Sequence, residues 1–176
     1  LAWGAGMGDG YGPVLVTLAE GEAPAHNERR SWLGGKRIAI PGKMTSAYLA
    51  LQLYLGEFES VVVPFDQIFD AVKTGRADLG LIIHEGQLTY ERSGFEKIID
   101  LGEWWKGETG LPLPLGGNVL RKDIPLTIRR DISEIMRESI DYGLAHREPA
   151  VLHSLPYARA MDAALAGQFI GMYVNE

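Results

Sequence analysis

Three short apolar runs limit the architecture more than any other feature. They are Lys36-Arg37-Ile38-Ala39-Ile40, Ser60-Val61-Val62-Val63-Pro64-Phe65 and Ala77-Asp78-Leu79-Gly80-Leu81-Ile82-Ile83. Each reads as a buried strand, and each pair is separated by a stretch with helical spacing. Strands that alternate with helices pair in parallel and use the helices as crossovers. The spacing therefore predicts an α/β fold. The first crossover is Thr45-Ser46-Ala47-Tyr48-Leu49-Ala50-Leu51-Gln52-Leu53-Tyr54-Leu55, with a hydroxyl N-cap at Thr45 and a stop at Gly56. Gln52 is its one strongly polar interior residue, so burial on most sides is expected. The second crossover covers Asp66 to Lys73, with apolar residues at 68, 69 and 72, Asp66 as N-cap and Gly75 as stop.

The third run ends in His84-Glu85. Ligands of open α/β sheets sit at the carboxyl ends of the strands, and histidine changes charge near neutral pH. His84 thus reads either as a general acid/base on a stiff support or as a residue that opens the next helix. A second candidate lies at the start of the Thr45 helix, whose first turn carries no Asp or Glu. Such an end attracts a carboxylate or phosphate. The Thr45 and Ser46 hydroxyls and the Ser46 and Ala47 amides would be its donors. Ordinary N-capping is the alternative use of the same residues.

The remaining segments fill in around this core. Glycine occupies every second position from 4 to 12, leaving one face of an extended backbone bare. Another backbone or a ligand could approach it closely, and the stretch reads as a loop or a hinge. Pro13 to Ala19 is a strand; Glu20 to Gly35 is a polar loop with one helical turn near Trp32-Leu33. Gly86 to Gly94 is helical, Phe95 to Leu101 a strand or edge segment, and Glu103 to Lys106 short and helical. Of the neighbours Trp104 and Trp105 at most one packs fully; the other covers an edge or stacks on a planar ligand. Pro112 and Pro114 forbid a central ladder, so 111–120 reads as an extended return strand. Beyond Pro125 the texture is helical, with Ile128, Ile132, Ile135, Met136 and Ile140 at helical spacing. Further short helices start at Pro149 and run from Tyr157 to Met172. His26, His146 and His153 read as surface or capping residues, with no partner at metal-ligand spacing.

Composition removes several function classes. The chain has 176 residues, 46% apolar and 23% charged, with a net charge of −6. That supports a real core and speaks against a nucleic-acid partner. There is no cysteine, hence no disulfide, thiolate nucleophile or cysteine-based zinc site. No run of about 18 apolar residues exists, so no membrane span is expected. Leu1 to Gly4 lack the basic start of an export signal, and the missing first Met suggests a piece of a longer protein. No Gly-x-Ser-x-Gly elbow, Walker-type loop, His-Glu-x-x-His or EF-hand loop occurs. His84 would therefore act without a metal.

Four segments carry a family likeness: Gly80-Leu-Ile-Ile-His-Glu85, Asp100-Leu-Gly-Glu-Trp-Trp105, Thr109-Gly-Leu-Pro-Leu-Pro-Leu-Gly116, and Pro41-Gly42 with Thr45-Ser-Ala-Tyr48. Together they resemble the 1,4-dihydroxy-6-naphthoate synthase family of the futalosine route to menaquinone. The resemblance implies a two-lobed fold like the type II periplasmic binding proteins, with one lobe complete, the other partial and the substrate in the cleft. It divides the chain into a hinge at 1–13, the complete lobe at 14–118, and the return with helices of the other lobe at 119–176. It implies a cytoplasmic carbon–carbon lyase that turns cyclic dehypoxanthinyl futalosine into 1,4-dihydroxy-6-naphthoate. The catalytic base falls on His84, and the contacts to the substrate carboxylate fall on Ser46 and Ala47, beside Thr45. No metal or organic cofactor is implied. The partner is a small-molecule carboxylate, with a homodimer as an option. The alternatives are a small-carboxylate solute-binding protein on the same fold and the related chorismate dehydratase.

Overall fold

The computed structural model describes residues 4–19, 24–25, 27–158 and 161–174. The chain forms two compact units, one from Gly8 to Leu113 and one from the residues up to Met7 together with those from Pro114 onward. It passes between them within strand β1 (Ala5–Gly8) and again within strand β7 (Leu113–Gly117).

The Gly8–Leu113 unit is built on a five-stranded sheet. Its strands are β2 (Val14–Leu18), β3 (Arg37–Ile40), β4 (Glu59–Val62), β5 (Leu79–Ile82) and β6 (Phe95–Asp100), in the spatial order β4-β3-β5-β2-β6. β3 pairs in parallel with both β4 and β5, as the strand–helix alternation requires. β2 is inserted antiparallel between β5 and β6, so β6 runs in the direction of β5. Ile38, Ala39 and Ile40 of β3 and all of β5 are buried, as expected of central strands covered on both faces.

The crossovers are α2 (Ser46–Leu55) and α3 (Ile68–Lys73), the latter entered through a 3₁₀ turn at Phe65–Gln67. Asp66 lies inside that turn and is not the N-cap of α3, contrary to the expectation from sequence. α3 presses on β5 at Gly80, where an added Cβ would lie 2.6 Å from an Ile68 methyl. α2 buries Ala47, Ala50, Leu51 and Tyr54 but leaves Leu49 and Leu53 more than half exposed. It is thus a one-sided helix, not one buried on most sides. The helix expected at Gly86–Gly94 is α4 (Gly86–Thr89) plus a 3₁₀ turn at Glu91–Ser93 that ends on left-handed Gly94. α5 (Leu101–Thr109) is longer than expected because Asp100 caps it, accepting from the Gly102 and Glu103 amides. A short helix α1 (Arg29–Trp32) precedes β3.

The glycine-rich start does allow a close backbone approach, at Gly12. A Cβ there would come within 2.8 Å of the Gly102 nitrogen, and one on Gly102 within 2.0 Å of the Tyr11 carbonyl oxygen. Part of the same stretch is strand β1, which pairs with β7 in a two-stranded sheet. In the other unit, α6 (Leu126–Ala145) is the helix expected after Pro125, and no residue of it is buried. α7 (Arg147–Ser154) starts two residues before Pro149, and α8 (Ala163–Tyr173) starts later than the Tyr157 expected. His26 lies outside the described residues.

Candidate active site

The site grows out of the order β4-β3-β5. β3 and β5 are adjacent and parallel, with Ile38 opposite Leu79 and Ala39 opposite Gly80. Their outgoing connections leave the sheet by the same edge, from strands about 4.8 Å apart. The chain from β3 leads to α2 and on to β4 on one side, while β5 lies on the other. The connections therefore diverge between β3 and β5, which is where open α/β sheets take ligands.

His84 does not sit on the strand. β5 stops at Ile82, and His84 stands in the turn after it with φ 58°, the one described non-glycine residue with positive φ. Left-handed backbone is uncommon outside glycine, and histidine is among the residues that tolerate it. The turn is closed by the Gln87 amide, which donates to the His84 carbonyl at 3.1 Å. It is packed tight: a Cβ on Gly86 would lie 2.5 Å from an Ile82 methyl. The imidazole is exposed, and the ring of Phe65 meets it at 4.8 Å between centroids and 62° between planes.

The start of α2 resolves into distinct roles. Thr45 Oγ accepts from the Tyr48 amide at 3.1 Å and donates to the Gly42 carbonyl at 2.8 Å. That hydroxyl is committed to capping, so the plainer of the two readings holds for it. Ser46 is exposed at the first helical position, and Ala47, buried, comes next. An amide at that second position has no acceptor within the helix. No acidic residue occupies the first turn.

His84 and the Thr45–Ala47 helix start thus share one edge of the sheet, beyond neighbouring strands. Phe65, beyond β4, is at the same edge and does not stand out in the sequence. The available signal is Pro64-Phe65 closing the second apolar run. Its significance depends on β4 lying two strands from β5, which no local pattern encodes.

Other groups lie elsewhere. Trp104 packs edge-to-face on Tyr54 at 5.2 Å and meets Trp105 at 6.1 Å; both indoles are half-buried. Trp104 and Tyr54 line a cavity of about 500 Å³ with Arg29, Arg30, Asp100 and Glu103. Burial pushes the Asp100 carboxyl up to about 6, against the pull of its two amide donors. His146 stacks on Tyr142. Among the described residues no group of three or more His, Asp or Glu is placed to hold a metal ion, and no helix is long and apolar enough to cross a membrane.

The chain is 39% identical over 98% of its length to the 1,4-dihydroxy-6-naphthoate synthase of Thermus thermophilus. It spans about three fifths of the length of the curated relatives it matches. A crystal structure of an Archaeoglobus fulgidus protein superposes with a TM-score of 0.87 at 41% identity, covering 98% of this chain and 62% of that one. The alkanesulfonate-binding protein SsuA of Xanthomonas axonopodis superposes at 0.63 with 11% identity, covering 97% and 59%. At that identity the likeness shows the fold alone, that of the periplasmic solute-binding proteins. The sequence model of a menaquinone-biosynthesis family runs through every element described above, from residue 1 to residue 176. The chain therefore belongs to the menaquinone-biosynthesis family.

Proposed function

We propose that this chain carries the reacting edge of a carbon–carbon lyase that converts cyclic dehypoxanthinyl futalosine to 1,4-dihydroxy-6-naphthoate in the cytoplasm. The observation that carries the reading is the shared sheet edge: an exposed imidazole beyond β5 and an acid-free helix start beyond β3. The name of the Thermus thermophilus relative supports the choice of reaction.

In this reading the α2 start holds the substrate carboxylate through the Ser46 and Ala47 amides, with Thr45 keeping the turn in shape. His84 takes a proton from the sugar-derived part of the substrate. The spiro ring then fragments: the electron pair left behind becomes a carbon–oxygen double bond of the departing sugar-derived fragment, the pair of the broken carbon–carbon bond stays with the ring system, and the imidazolium returns its proton there as the ring aromatises. An exposed base suits this role, since it must reach a proton on a bound ligand.

The test is to incubate the full-length protein separately with cyclic dehypoxanthinyl futalosine and with chorismate, following products by chromatography. Release of 1,4-dihydroxy-6-naphthoate from the first, with no turnover of the second, is expected. Chorismate turnover would assign the sister reaction. Tight binding without turnover of either would assign a solute-binding role.

A further inference from the structure

We propose that Phe65 is the positioning residue of the His84 imidazole, through ring packing where other enzymes use a hydrogen-bonded carboxylate. The proposal rests on His84 being the base.

His84 needs something to hold it. It stands two residues past the end of β5, exposed, on left-handed backbone. Such backbone persists only where the surroundings over-determine it. In Ser-His-Asp sites a carboxylate orients the imidazole through its second nitrogen. Among the described residues no ion pair involves His84. The ring that meets it is Phe65, 4.8 Å away and steeply inclined.

Phe65 is itself fixed. It is partly buried against the core cluster to which Val63, Ile68, Ala71, Val72 and Ile82 belong. Pro64 locks the backbone before it at φ −52°, and the Gln67 amide closes the turn on the Pro64 carbonyl at 2.9 Å. The Val63 amide donates to the Ile40 carbonyl at 3.1 Å, tying this segment to β3. The core thus holds Phe65, and Phe65 holds the imidazole.

The contact also has a defined place. β4 and β5 flank β3, so a ring from beyond β4 that touches one from beyond β5 closes over the carboxyl end of β3. From that end the chain runs to the α2 start. An aromatic positioner leaves both imidazole nitrogens to the reactants, whereas a carboxylate would occupy one.

The experiment uses full-length protein with isotope-labelled histidine, the His84 ring signals being identified by their loss in His84→Ala. In the wild type, magnetisation transfer between the His84 and Phe65 rings is expected, with the His84 ring protons displaced by the ring current. Phe65→Leu should return those protons toward free-histidine positions. It should also lower kcat about tenfold or more and leave KM within roughly threefold. Phe65→Tyr should restore both signal and rate. The proposal is overturned if the wild-type rings show no transfer, or if Phe65→Leu moves the His84 signals and keeps the wild-type kcat. The first reading does not depend on any Phe65 variant folding. Turnover surviving in His84→Ala is a separate failure, of the base assignment itself.

Discussion

Asp100 shows how a single carboxyl can set a pH dependence. It caps α5, is 8% exposed, and has been lifted from the ordinary 3.8 to about 6 by burial. The folded chain therefore keeps this proton to higher pH than the unfolded chain does. Its contribution to stability is fully present below pH 3.8 and is lost as pH rises through about 6. At 1.4 kcal/mol per unit the loss is at most about 3 kcal/mol. Asp100→Asn keeps an acceptor for the Gly102 and Glu103 amides and removes the titration. The stability of the variant relative to wild type should rise between pH 4 and 7, read from Tm at each pH. A difference that does not change with pH would remove this account of Asp100. At this scale the sequence is partly legible. His84 stands out because a polar, titratable residue ends an apolar run. Its left-handed turn does not, since nothing local to the sequence marks it and the tight approach of Gly86 to Ile82 beside it exists only in the fold. Phe65 is indistinguishable from any residue closing a strand until the strand order is known.

At the scale of elements, the start of α2 is the informative feature. Its cap and its glycine stop are both readable, because a hydroxyl before an apolar helical pattern and a glycine after it have local causes. Ser46→Asp would place a carboxylate at the positive end of the helix. That change favours the helix itself and repels an anion held there. The full-length variant should keep or raise its Tm while affinity for a substrate or product carboxylate falls by about tenfold or more by calorimetry. Unchanged affinity would remove the anion site from α2. Elements with non-local partners are harder to read. β1 looks like a glycine loop because its pairing with β7 spans more than a hundred residues. The antiparallel insertion of β2 between β5 and β6 also leaves no local trace. α6 has the expected helical spacing, yet none of its residues is buried. Periodicity reports a helix, not what covers it.

At the scale of the molecule, the fold and the chemistry separate. The architecture is shared with a sulfonate-binding protein at 11% identity, so it does not decide between binding and catalysis. Every residue assigned to the proposed reaction lies in the Gly8–Leu113 unit, on one sheet edge. The claim that separates a lyase from a solute-binding protein is that the His84 imidazole performs chemistry and does not merely line a site. The direct measurement is His84→Ala in the full-length protein, with turnover and product affinity taken on the same preparation. We expect turnover to fall by roughly a hundredfold to ten-thousandfold, the range of a lost general base, with product affinity close to wild type. Wild-type turnover in His84→Ala would contradict the assignment.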